Sequence, residues 1–126
     1  MKLSVVNGVL LSPLTISHRG KRLTLKSVII DTGSAHTWVN LDAVEDVLDV
    51  VPEVGDHIIT AFGIGGRDVA NRKRIDQIQF GDFIAEGFQV DFGRLDVDLD
   101  GLIGLDLLTA GNFVINLAKM EIYQDV

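Results

Sequence analysis

At 126 residues, 47% hydrophobic and 23% charged, the chain has the make-up of one folded domain with a single core, not of a disordered polymer. Eighteen acids against eleven bases leave a net charge of −7, which argues against nucleic acid as the main partner, since phosphate binding calls for a basic surface. Cysteine is absent, so disulfides, thiolate catalysis and Cys-ligated zinc are excluded.

The N-terminal apolar run, residues 1–11, is broken by Asn7-Gly8 and leads to no small-x-small cleavage site, so it does not read as a signal peptide. No run reaches transmembrane length, and the expectation is a soluble cytoplasmic protein without membrane partners. Residues 14–17 and 23–30 are extended runs joined across His18-Arg19-Gly20-Lys21, a hairpin signal. The second run ends in Val28-Ile29-Ile30, a buried-strand pattern, and delivers Asp31-Thr32-Gly33-Ser34. A carboxylate at the end of a buried strand is costly unless it is paired or used, although an Asx-type turn is its everyday explanation. Residues 37–39 read as a short strand and 41–48 as one or two helical turns. Residues 57–62 and 67–80 are strands around Gly63-Ile64-Gly65-Gly66, a long hairpin whose side-chain-poor tip is expected to be exposed and mobile. Arg67, Arg72, Lys73 and Arg74 lack interleaved aromatic residues and are expected to form a solvated strand face. Residues 83–92 and 97–103 are further strands, 105–110 a short helix stopped by Gly111, and 112–117 and 120–124 two closing strands. The pattern predicts an all-β fold, barrel-like or sandwich-like, in one domain over 1–126.

Several motifs fail on their own chemistry. The glycine-rich tip lacks the Lys-Ser/Thr and helix of a phosphate loop. Asp96, Asp98, Asp100 and Gly101 mimic the opening of a calcium loop, but Leu107 stands where the closing glutamate belongs. A strand with one wet face explains those acids better, and no metal or cofactor is expected. His18, His36 and His57 lack metal-ligand spacing, and His36 is read as a surface or pocket-rim residue. Ser34 near His36 lacks a Gly-x-Ser-x-Gly elbow, so a serine triad is a poor reading.

Three motifs remain in order: Asp31-Thr32-Gly33-Ser34 after a strand, a glycine-tipped hairpin, and Leu102-Ile103-Gly104 before a short helix. From Pro13 to Tyr123 this order and spacing resemble the retropepsin-like aspartic proteases, the retroviral enzymes and their cellular single-domain relatives. The resemblance implies a single-lobe closed barrel or sandwich with a flap hairpin and one short C-terminal helix. It implies that Asp31 is catalytic, that Thr32 bonds across to a second subunit, that Gly33 lets the substrate backbone approach, and that Ser34 bonds the outer carboxylate oxygen. Ala61, Phe62, Gly63, Ile64 and Gly65 would line the flap side, and Trp38, Asp100 and Leu102 the side-chain pockets. Leu102-Ile103-Gly104 would thread beneath the Asp31 loop.

With only one Asp-Thr-Gly, and Asp91-Phe92-Gly93 lacking the hydroxyl, a protease of this kind needs a homodimer in which each chain supplies Asp31. Its substrate would be a peptide or protein. The retroviral charges that brace this loop are replaced here by Ala35, Leu105 and Ser12, so the bracing must differ. The alternative function is a catalytically inactive module that keeps the fold for peptide binding or dimerisation.

Overall fold

A computed structural model describes residues 1–63 and 66–125, with backbone alone at 61–63, 66 and 67. The strands are β1 (Ser4–Val6), β2 (Val9–His18), β3 (Lys21–Ile30), β4 (Trp38–Asn40), β5 (His57–Gly63), β6 (Gly66–Phe80), β7 (Phe83–Gly93), β8 (Gly101–Ile103), β9 (Phe113–Asn116) and β10 (Glu121–Gln124). Two short helices, α1 (Leu41–Val44) and α2 (Leu105–Ala110), complete the described elements. The fold is mostly β, as expected. No described helix is long and apolar enough to cross a membrane.

The main sheet runs β1-β2-β3-β8-β4-β7-β6-β5, and β2 also pairs with β6 through Thr15–Gln79, Ile16–Ile78 and Ser17–Gln77. That extra pairing bends the sheet into a ring. Its interior is filled by Leu14, Ile16, Val28, Val39, Ile75, Ile78, Phe80, Phe92 and Ile103, all nearly or fully buried. Alternation along β2 sends Leu14 and Ile16 inward and their neighbours out, and β6 does so in two phases, burying Asn71, Lys73 and Ile75 and then, past Asp76 and Gln77, Ile78 and Phe80.

The N-terminal apolar run, to which the sequence pattern assigns no element, is a hairpin: Asn7 and Gly8 take φ of 52° and 82°, the left-handed pair that a two-residue turn demands between β1 and β2. Two expectations are corrected. The strand expected over 97–103 begins only at Gly101, because the backbone before it is spent elsewhere: Leu99 N–H donates to Val97 O, and Asp100 N–H to Ser27 O. The acids there belong to a loop. Nor do Arg72 and Lys73 belong to a solvated face: Lys73 is 3% exposed inside an ion cluster and Arg72 pairs with Asp91, while Arg74 is exposed as expected and donates to Gly87 O at 2.8 Å. The Arg67 side chain lies outside the described residues. The closing strands β9 and β10 pair with each other, and Lys2 bridges Glu121, so the N-terminal segment joins this second small sheet.

Candidate active site

The loop from Asp31 to Thr37 straddles the end of β8. β8 lies between β3 and β4, parallel to the first (Ile29–Leu102, Ile30–Ile103) and antiparallel to the second (Trp38–Leu102). The chain leaving β3 therefore arches over the segment that leaves β8. Backbone bonds lock the crossing: Asp31 N–H donates to Ile103 O at 2.9 Å, Leu105 N–H to Ser34 O at 2.8 Å, and Asp106 N–H to Ala35 O at 3.3 Å. Leu102-Ile103-Gly104 does thread beneath the loop. Gly104 is the point of closest approach, since a Cβ there would lie 2.7 Å from His36 C and O and 2.9 Å from Ser34 O.

Asp31 itself is half-buried, and its Oδ1 accepts the Gly33 N–H at 3.0 Å, the Asx-type turn that aims a carboxylate out of a strand end. Among the described residues no cation pairs with it. Thr32 and Gly33 are exposed. Ser34 Oγ donates its single hydrogen to His36 O at 2.8 Å, so it is not donating to Asp31 as the resemblance implied. His36 lies exposed on the loop.

Sequence reasoning missed what steadies the loop. Thr37 is fully buried, and its hydroxyl donates to Asp106 Oδ1 at 2.7 Å while accepting the Gly104 N–H at 3.2 Å. Its backbone N–H donates to Asp106 Oδ2 at 3.0 Å. Asp106 Oδ1 also takes the Leu107 N–H in the first turn of α2. These bonds brace the loop where Ala35 and Leu105 leave no charges to do so. The one signal available was an acid placed early in a short helix two residues after a glycine.

Trp38, Leu102 and Ile29 are lateral neighbours in one row, which continues through Asp91 to Arg72. Trp38 is 7% exposed, with its Nε1–H donated to Gly93 O at 3.1 Å and its ring against Gly93, where a Cβ would fall 2.2 Å from Cζ2. Leu102 is half-buried. Arg72 holds Asp91 through Nε and one terminal nitrogen at 2.8 and 3.1 Å, and these hydrogen bonds donated to the Asp91 carboxylate raise the guanidinium above its ordinary range. Asp100, expected in a pocket, has Oδ2 occupied by the N–H groups of Lys26 and Ser27 at 3.1 and 3.0 Å. Those donors lie where the β2–β3 register slips past Pro13, so Asp100 satisfies a bulge that the facing strand leaves open.

Of the hairpin residues, Gly63 pairs with Gly66, Ala61 with Asp68 and Phe62 with Arg67 along the backbone. The Ala61 and Phe62 side chains, together with Ile64 and Gly65 at the tip, lie outside the described residues.

A family model described as aspartyl protease matches residues 13–107. The chain belongs to the retropepsin-like aspartyl protease family, and the match spans the Asp31 loop, the β5–β6 hairpin and the threaded Gly104 segment. Membership supports a protease-type function. No curated protein matches the chain.

Proposed function

We propose that this protein is an aspartic endopeptidase acting as a homodimer, with one Asp31 from each subunit. The observation that carries the reading is the Asp31 loop: a carboxylate oriented by its own turn, free of any described cation, and locked over the Gly104 segment. One such carboxylate is half of the chemistry. Family members usually work as dimers, and a twofold axis at Thr32 and Gly33 brings the second Asp31 beside the first.

Two carboxylates at that separation share one proton, since both cannot ionise together, and they titrate as a pair. The ionised one takes a proton from a water held between them as the water oxygen attacks the peptide carbonyl carbon. The protonated one gives its proton to the carbonyl oxygen. Collapse of the resulting diol breaks the C–N bond, the departing nitrogen takes up a proton, and the dyad returns to one proton. Gly33 leaves room for the substrate backbone, and the β5–β6 hairpin closes over it as a flap. Ile29, Leu102 and the edge of Trp38 offer an apolar floor, which favours hydrophobic residues beside the cut.

The test is hydrolysis of a mixed-sequence peptide library between pH 4 and 7. Cleavage blocked by a pepstatin-type inhibitor and lost in Asp31→Asn supports the reading. A correctly folded wild-type protein that binds peptides without cutting any would leave the inactive binding module in its place.

A further inference from the structure

A second concavity lies away from Asp31. It is an open groove of about 460 Å³ between the segment that follows α1 and the base of the β5–β6 hairpin. That volume is in the range of small-molecule sites. Leu48, Val51, Pro52, Ile58, Val69 and Phe92 form its apolar lining. Ile58 and Val69 are 63% and 61% exposed, so the groove wall is apolar surface standing in water.

The polar groups in the lining narrow the ligand's chemistry. Glu45 and Arg94 bind each other at 3.0 Å, and Asp68, the remaining charged residue of the lining, is exposed and by strand alternation faces away from Val69 and Asn71, so none of the three calls for a charged ligand. Asn71 is 8% exposed, and its Oδ1 has no hydrogen-bond partner among the described residues. The amide cannot turn round to mend this, because Nδ2 donates to Val50 O at 3.1 Å and to Asp56 Oδ2 at 3.3 Å, two acceptors that require the nitrogen where it is. A buried acceptor in an apolar wall is costly unless something donates to it.

Four of the groove's side chains, Ile58, Val69, Asn71 and Phe92, share the face of the sheet opposite the Asp31 side: Ile58 and Phe92 are the lateral partners of Asn71, whereas the adjacent pair Arg72–Asp91 continues the row to Trp38 and Leu102. Adjacent residues of a strand face opposite ways, so a ligand resting on these four side chains does not lie on Trp38 and Leu102.

We propose that this groove is a small-molecule site taking a compact, uncharged, apolar ligand with one hydrogen-bond donor, which Asn71 Oδ1 accepts. The ligand rests on both strands of the hairpin, on Ile58 of β5 and Val69 of β6, and on the 45–52 segment beside them, so it ties the hairpin base to that segment.

The test is a titration of the isotope-labelled full chain with 4-tert-butylphenol and with its methyl ether, followed by protein NMR. Binding is read directly, so the result stands whether or not the protein cleaves peptides. The phenol is expected to give saturable shifts at the Asn71 side-chain amide, Val51, Ile58 and Val69. The ether, having lost the donor, is expected to bind roughly tenfold more weakly. Ile58→Arg, and separately Val69→Arg, should abolish binding while leaving the rest of the spectrum in place. No saturable shift, equal affinity for the ether, or phenol binding that survives both arginines would overturn the proposal.

Discussion

Asp106 grips Thr37 twice, taking its hydroxyl on one carboxylate oxygen at 2.7 Å and its backbone N–H on the other at 3.0 Å. This joins the exit of the Asp31 loop to the first turn of α2. Asp106→Ala leaves both Thr37 donors without an acceptor in a buried place, at a cost of roughly 2 kcal/mol. If the loop sets the position of Asp31, turnover should fall about tenfold or more with a smaller change in KM. Asp106→Asn keeps one acceptor oxygen and should recover part of both losses. Thermal melting and peptide hydrolysis on the same preparations check this.

Gly104 makes a sharper demand. A Cβ there would meet the backbone of His36 at 2.7 Å, and backbone cannot rotate away as a side-chain tip can. Gly104→Ala must therefore displace the loop from β8. The expected result is a loss of about 2 kcal/mol in stability and of most activity, read by denaturant unfolding and hydrolysis.

A buried ion cluster at the hairpin base sets an acid limit. Lys73 Nζ lies 2.6 Å from Asp56 Oδ2 and 2.9 Å from Glu53 Oε1, and Arg19 joins from outside through Glu53 and Asp49. Burial pushes the Asp56 carboxyl up, but Lys73, the Glu53 backbone N–H and Asn71 together hold it below its ordinary value. Glu53 is lowered chiefly by its hydrogen bond from Lys73. Burial alone would lower Lys73, yet its two carboxylates raise it. For the depressed carboxyls, the stabilisation is whole above their unfolded values, about 4, and is lost as pH falls through the folded ones. For the raised lysine it is whole below the ordinary lysine value and is lost as pH rises through the folded one. The melting temperature should therefore hold level between these limits and drop below about pH 4. Lys73→Met should lower it by roughly 10 °C at neutral pH and flatten the acid drop, as scanning calorimetry across pH would show.

Trp38 is the single tryptophan, so its fluorescence reports on one place. Gly93→Ala would set a Cβ 2.2 Å from its ring in a buried position. The native emission should be blue-shifted and the variant's shifted to the red, with stability lower by about 2 kcal/mol.

What the chain reveals before folding is uneven, for physical reasons. The Val28-Ile29-Ile30-Asp31 strand end, the Leu105–Ala110 helix and the β5–β6 hairpin are legible because local pattern and turn chemistry agree there. Asn7-Gly8 carries a turn signal, yet the flanking apolar run masks the β1 hairpin as a leader-like stretch. Lys73 looks like one of several basic residues on a strand. Only the fold brings Glu53 and Asp56 to it from another loop. Thr37 and Asp106 are far apart in sequence, and nothing local marks them as partners. Alternating acids near Asp100 imitate a strand because period two cannot tell a wet strand from a loop whose carboxylate serves a bulge elsewhere.

The central claim is that two Asp31 carboxylates from two chains do the cutting. Wild type and Asp31→Asn, unfolded together in equal amounts and refolded so that subunits assort freely, put it to the test at constant total protein. If only dimers with two intact Asp31 groups hydrolyse peptide, activity falls to about a quarter of the all-wild-type value. A fall to only about half, with each wild-type chain working on its own, would contradict the account.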